Sequence, residues 1–328
     1  MHEFEYIKWI QKQIKRPKSV LVGSGDDAAV IQLIPPFPPK KRLMLVTTDM
    51  IVEGIDFSLP EVNSGQARRK PHLSQSTSGL DIGWKALAVS LSDIAAMGGA
   101  TEYLYAVAAV ALRPKVSSRF AREVFRGMKK VADRFSVAIV GGDVSAVNGP
   151  MSITTTVFGL GRRLRPLTRS GAKVGDAIMV TGQLGGSILG KHLNFTPRLK
   201  EAGQLNQKYR INSMIDISDG LLADLNHLLE QSQMGGILFE NLIPISSAAR
   251  QLSRRTKKPP LFHALADGED FELLFTMPQK EANRLLKSNN LKVLISHIGQ
   301  ICPGKNIRLV DLAGRLRKIK PKGYEHQL

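Results

Sequence analysis

Thiols are almost missing from this chain. Cys302 is the one cysteine among 328 residues. No disulfide can close within the chain, and a cysteine-cluster zinc site is excluded. The histidines form no H-x-x-x-H pair, which argues against a zinc hydrolase. No G-x-x-x-x-G-K-[ST] stretch occurs, so a P-loop mechanism is out. Apolar runs long enough to span a membrane are also absent. The stretch "MHEFEYIKWIQKQIKRP" has neither the apolar block nor the small-residue cleavage site of a signal peptide. It reads as an amphipathic helix with Phe4, Ile7, Ile10 and Ile14 near one face, and a cytoplasmic protein is expected. Acidic residues are scarce: 28 Asp and Glu against 46 Lys and Arg, a net charge of +18. Such an excess attracts polyanions. The basic residues are nevertheless scattered, in "KRPK", "PPKKR", "QARRKP", "GRRLR", "RRTKKPP" and "GRLRKIKPK". Aromatic residues, 6% of the chain, are not interleaved with them as a base-stacking platform requires. A solvated basic surface is expected, with no nucleic-acid partner.

Apolar residues make up 43% of the chain, so a sizeable core can form, and the length suits about two domains. β-rich apolar runs alternate with helical patterns, which predicts an α/β fold. Strands are expected at 42–50, 103–112, 136–142, 152–160, 177–182, 236–240, 271–277 and 292–301. Helices are expected at 83–97, 116–134, 219–231 and 279–288. The basic, Gly- and Pro-punctuated stretch from 161 to 176 places the boundary between an N-terminal domain, 1–161, and a C-terminal α/β domain, 162–328. The polar segment 63–79 reads as an inserted mobile loop.

Against this basic background, carboxylates recur where strands end and helices begin. "VGSGDDAAV" sets Asp26 beside Asp27. Strand 42–50 ends in Thr47, Thr48 and Asp49. Asp93 lies on a helix whose apolar stripe is Trp84, Leu87, Leu91 and Ile94. Strand 136–142 runs into Gly142 and Asp143. "MIDISDGLL" places Asp216, Ser218 and Asp219 before a helix. Each has an ordinary reading alone: a turn, a solvent-facing side chain, or a helix cap at Ser218 or Asp219. Together they predict a shared cation, because adjacent anions repel unless a cation lies between them. Magnesium suits hard oxygen ligands shared with phosphates. The glycines of "GSG" and "VGGD" let backbone N–H groups approach phosphates closely.

The stretches "GSGDDAAV", "LVTTDMIVEGIDF", "DIGWKALAVSLSDIAAMGG", "IVGGDVSA", "PLTRSGAKVGDAIMVTG", "MIDISDGLLADLNHL" and "ALADGEDFELLFT", with a final "GYEH", resemble the thiamine-monophosphate kinase family of the aminoimidazole ribonucleotide synthetase-like superfamily. The resemblance spans nearly the whole chain. It implies the two-domain aminoimidazole ribonucleotide synthetase-like fold and a homodimer formed through the N-terminal domain. It also implies ATP-dependent phosphorylation of thiamine phosphate to thiamine diphosphate with several magnesium ions. Asp27, Thr47, Thr48, Asp49, Asp93, Asp143, Asp216 and Asp219 would hold the metal. Gly142, Arg169 and Ser218 would contact ATP, and Glu269 and Tyr324 the thiamine phosphate. Where the family usually has histidine in "EGxHF", this chain has Asp56. That anion either joins the metal shell or alters acceptor recognition.

The expected reaction is direct in-line transfer, with no covalent intermediate and no general base, since the acceptor phosphate is already ionised near pH 7. Two alternatives stand beside it. One is another ATP-dependent enzyme of the superfamily. The other is a catalytically altered nucleotide- or RNA-binding relative, prompted by Asp56 and the net charge.

Overall fold

The computed structural model describes residues 18–22, 26–33, 42–59, 77–99, 101–114, 116–161, 165–288 and 291–324. The expected N-terminal helix and most of the expected loop at 63–79 lie outside them. Two sheets organise the chain. The first has six strands in the order β1-β2-β3-β6-β4-β5. These are β1 (Val20–Val22), β2 (Ala29–Leu33), β3 (Arg42–Val52), β4 (Tyr103–Leu112), β5 (Val137–Ala146) and β6 (Ser152–Gly161). All neighbours run antiparallel except β4 and β5, which are parallel across the helix between them. The second sheet has seven strands in the order β13-β12-β9-β11-β7-β10-β8. They are β7 (Asp176–Thr181), β8 (Ser213–Asp216), β9 (Gly235–Phe239), β10 (Leu273–Pro278), β11 (Ile295–Cys302), β12 (Ile307–Val310) and β13 (Leu316–Ile319). The expectation of an α/β fold is met.

Helix α1 (Gly79–Ala96) is packed between the two sheets. The sequence predicts an amphipathic helix here, but the structure buries it on every side. Leu87, Leu91 and Ile94 are at most 1% exposed, and each stabilises the fold by about 1.5–3 kcal/mol. The same burial encloses Lys85, Ser90 and Ser92. Ser78 caps the helix, accepting the Asp81 N–H at 3.1 Å. Against α1 lies α2 (Ser118–Phe135). Their close approach needs two glycines: a Cβ on Gly83 would sit 1.8 Å from the Val124 carbonyl oxygen, and one on Gly127 2.1 Å from that of Leu80.

Strand β6 makes the one-sided covering of the first sheet plain. Ile153, Thr155 and Val157 are buried beneath the helices, while Thr154, Thr156, Phe158 and Leu160 alternate onto the opposite face and are only partly covered. Register sets Val46 and Tyr105 beside Phe158 on that face.

Further helices follow: α3 (Lys191–Asn194), α4 (Leu199–Lys208), α5 (Leu221–Ser232), α6 (Ser247–Thr256), α7 (Pro260–Ala266) and α8 (Gln279–Ser288). A second core lies between the second sheet and α5, with Leu221, Leu225, Leu228, Ile215 and Leu274 buried. Among the described residues, no helix is long and apolar enough to cross a membrane.

Candidate active site

Strand β3 fixes the first side chains. A strand alternates its faces, so Thr47, Asp49 and Ile51 turn toward α1, and Thr48 and Met50 turn away. Thr47 donates its hydroxyl to Asp93 Oδ2 at 2.5 Å. Asp93 lies near the C-terminal end of α1, and Ser92 of the same turn donates to Asp216 Oδ2 at 2.5 Å. Asp216 ends β8. Asp27 enters just ahead of β2. Asp27, Asp93 and Asp216 each bring a carboxylate oxygen within 4.8 Å of the others.

Burial raises the pKa of Asp49, and hydrogen bonds from Ser90 and Asp93 only partly oppose it. Burial, then the charges of Asp49, Asp216 and Asp27, push Asp93 well above the usual carboxylate range. Burial and the Asp27 charge move Asp216 up to about 7. Oδ2 of Asp49 is buried and accepts no hydrogen bond from the described residues. An orphaned oxygen beside mutually repelling carboxylates is what a hard divalent cation would satisfy, so the donor set fits magnesium.

One cation already touches the group. Arg169 Nη2 donates to Asp27 Oδ1 at 2.8 Å, and Nε reaches Oδ2 at 3.4 Å. The Arg169 backbone N–H donates to Asp26 Oδ1 at 2.7 Å, so this loop is tied to both members of the Asp pair. Burial opposes the Arg169 charge, but Asp27, Asp26 and Asp216 together raise its pKa.

A cavity of about 460 Å³ opens beside the cluster. Asp49, Ser218 and Asp219 form part of its lining. Asp56, Lys85, Glu269 and Tyr324 line it too, with apolar surface from Ile55, Val89, Leu252 and Phe271. Asp56 Oδ2 accepts the Val52 N–H at 2.7 Å and so closes its own turn. Its carbonyl accepts from Lys85 Nζ at 2.8 Å. Tyr324 is placed by the C-terminal segment, whose Tyr324 N–H donates to the Asp219 carbonyl at 3.0 Å.

The segment 268–271 is the strained part of the site. Gly268, Glu269 and Phe271 have φ of 75°, 53° and 48°, in the left-handed region. Glu269 N–H donates to the Ser218 carbonyl at 2.6 Å, and Phe271 N–H to that of Ile217 at 2.8 Å. A Cβ at Gly268 would meet the Ser218 carbonyl oxygen at 2.7 Å. Backbone strain of this kind persists where the surroundings over-determine it.

Two expected metal residues stand apart from the cluster. Thr48 lies on the opposite face of β3, exposed, with its hydroxyl 3.0 Å from that of Thr156. The two-residue strand period that brings Thr47 and Asp49 in puts Thr48 out. Asp143 is exposed on the edge strand β5, in register with Ala109, and accepts from Ser145 Oγ at 3.2 Å. Gly142 is its neighbour on that strand; a Cβ there would meet the Ala108 carbonyl oxygen at 2.1 Å. The capping reading of Ser218 and Asp219 is also corrected. Asp224 Oδ2 accepts the Asp219 and Gly220 N–H groups at 3.1 and 3.0 Å, which leaves Ser218 and Asp219 facing the cavity.

A family model described as AIR synthase related protein, N-terminal domain, matches residues 25–162. A thiamine-monophosphate kinase of Rhodopirellula baltica (strain DSM 10527 / NCIMB 13988 / SH1) is 37% identical over 327 residues, covering 99% of this chain and 97% of its own. The chain belongs to the thiamine-monophosphate kinase family. Within that family, the enzyme of Escherichia coli (strain K12) is 32% identical, over 94% of this chain and 92% of its own. A solved structure of AaThiL complexed with AMPPCP and TMP superposes with a TM-score of 0.79 at 27% identity, covering 99% of this chain and 97% of that one.

Sequence reasoning passed over Lys85, Asp224 and the acids flanking Glu269. Asp270 is buried and accepts the Gly185 N–H at 2.8 Å. Glu272 is buried among Lys191, Arg198 and Thr181. A lysine or acid inside an otherwise apolar pattern was the available signal, since such residues are almost never fully buried unless paired.

Proposed function

We propose that this chain transfers the γ-phosphoryl group of ATP to thiamine phosphate, giving thiamine diphosphate, by direct in-line displacement. The observation that carries the reading is the buried group Asp27, Asp93 and Asp216, with the orphaned oxygen of Asp49, beside a cavity whose lining is partly apolar and partly charged. The AMPPCP and TMP bound in the structural relative support ATP and thiamine phosphate as the ligands here.

Asp27, Asp49, Asp93 and Asp216 would hold magnesium, with Asp219 nearby, and the bound ion would supply the positive charge that lets two anionic reactants meet. Thr47 and Ser92 orient Asp93 and Asp216 through their hydroxyls. Arg169, paired with Asp27, adds a fixed positive charge for the ATP phosphates beside the carboxylate cluster. Glu269 and Tyr324 face the acceptor, with apolar side chains against its rings. The acceptor phosphate is already ionised near pH 7, so the chain needs no general base, and positioning contributes much of the acceleration, up to roughly 7–11 kcal/mol. Thr48 and Asp143, on the open side of the first sheet, would act only on ligand groups that extend toward that surface, whereas Gly142 lies in register with Ala108 and Thr155, on the face that carries Asp49.

The two sheets support a division at residues 161 and 162, with the cavity lined from both halves. The half-covered face carrying Val46, Tyr105 and Phe158 supports a homodimer through the first sheet. Val46→Lys would then shift the molecular mass measured by light scattering from dimer to monomer. The single cysteine supports a cytoplasmic location. The deciding experiment incubates the purified protein with magnesium, ATP and thiamine phosphate and looks for thiamine diphosphate. ATP consumed on another acceptor, with no thiamine diphosphate formed, would transfer the chain's activity to a different reaction of the superfamily.

A further inference from the structure

Lys85 stands in the interior of a helix that is buried on all sides, and it is 1% exposed. Its ammonium has three donors. One goes to the Glu269 carboxylate and one to the Asp56 carbonyl. Lys85 and both partners line the cavity. The ion pair is lopsided: the Lys85 side chain is held at 1% exposure, while that of Glu269 is 29% exposed toward the open space. A buried pair adds little net stability over packed apolar side chains, so stability does not account for it. The nearby Glu272 makes the contrast. It is closed in by Lys191, Arg198 and Thr181, with its carboxylate 1% exposed.

We propose that Lys85 binds the phosphate of the acceptor, and that Glu269 occupies Lys85 only until an acceptor arrives that can satisfy both. This rests on the reading of the acceptor as a phosphate ester with a cationic ring. Such a molecule brings an anion for Lys85 and a cation for Glu269, so two ion pairs replace one. A lysine ammonium is a compact charge suited to phosphate. Lys85 and Asp93 are eight residues apart on α1, about 12 Å along the axis at ~1.5 Å per residue. Val89 lines the cavity between them. The acceptor phosphate is thereby set along the helix from the carboxylates. An acceptor without the phosphate leaves Lys85 on Glu269. One without the positive ring leaves Glu269 displaced and unpaired. The exchange therefore selects for molecules carrying both charges.

Calorimetric titration of the whole protein with thiamine phosphate, thiamine and phenyl phosphate tests this. Lys85→Met should weaken thiamine phosphate and phenyl phosphate by ~30-fold, the worth of a charged hydrogen bond, and leave thiamine within about threefold. Glu269→Gln should tighten phenyl phosphate by about threefold or more, because Lys85 is released, while weakening thiamine phosphate. A merely structural pair predicts neither the split nor the tightening. Equal losses for thiamine and thiamine phosphate in Lys85→Met, or weaker phenyl phosphate binding in Glu269→Gln, would overturn the proposal. If Lys85→Met unfolds, the double variant Lys85→Met, Glu269→Gln is compared with Glu269→Gln, and unchanged phenyl phosphate affinity between them would overturn it equally. The two readings separate cleanly. Lys85-dependent phenyl phosphate binding without thiamine phosphate binding or turnover sinks the substrate and keeps Lys85. Thiamine phosphate turnover with Lys85→Met unaffected does the reverse.

Discussion

Replacing Asp216 by asparagine should make the cation-free protein more stable while removing its activity. The unfolded Asp216 loses its proton near 3.8, and the folded one, raised by burial and Asp27, near 7. The folded state is therefore penalised progressively as pH rises from 4 to 7, and fully above that. Roughly three pKa units at about 1.4 kcal/mol each give a cost of ~4 kcal/mol at pH 8. Asparagine removes the charge and keeps an oxygen for the Ser92 hydroxyl. Its own desolvation offsets part of the gain, so a net stabilisation of about 2–4 kcal/mol is expected. Urea unfolding without magnesium at pH 8 reads this directly, and the gain should vanish toward pH 4. Added magnesium should stabilise the wild type and not the variant. Turnover should fall by at least ~100-fold, because the carboxylate group is broken. A folded Asp216→Asn protein with near-normal turnover, or one less stable than wild type at pH 8 without magnesium, would refute the reasoning.

Arg169→Ala should weaken ATP binding by about tenfold or more with the fold retained; an unchanged nucleotide titration would remove Arg169 from that role. Gly127→Ala should cost about 1–3 kcal/mol or more in urea unfolding, since its Cβ meets backbone atoms of α1 at 2.1 and 2.8 Å and the helices must separate. His192, which donates Nδ1–H to the Ser187 carbonyl at 2.9 Å, is pushed down to about 4 by burial and the Lys85 charge. Its contribution is complete above pH 6.5 and lost as pH falls toward 4, about 3 kcal/mol in all. A His192→Gln variant with the same acid slope as wild type would contradict this.

Much of the site was legible because its residues sit at punctuation points. Asp27 and Asp216 each adjoin a strand end or turn, where an acid is easily seen against a basic chain, while Asp49, expected at the end of its strand, lies three residues inside β3. Long periodic elements were legible for the same reason, and the expected helix at 279–288 coincides with α8. Short elements were not. Strand β8 has four residues, too few for a period to declare itself, and β12 and β13 are equally brief. Helices α6 and α7 were hidden by the polar and proline-rich run around "RRTKKPP".

From the sequence alone came the inventory: an α/β chain with one thiol, a strongly basic balance, and acids clustered at element ends that demand a cation. Only the tertiary structure decided which acids come together. The two-residue period of β3 admits Thr47 and Asp49 and turns Thr48 away. Helix α1, enclosed by two sheets formed far apart in the chain, is what brings Ser92 against Asp216 and Lys85 against Glu269. Pairings across 124 and 184 residues are set by packing, and no local pattern encodes them.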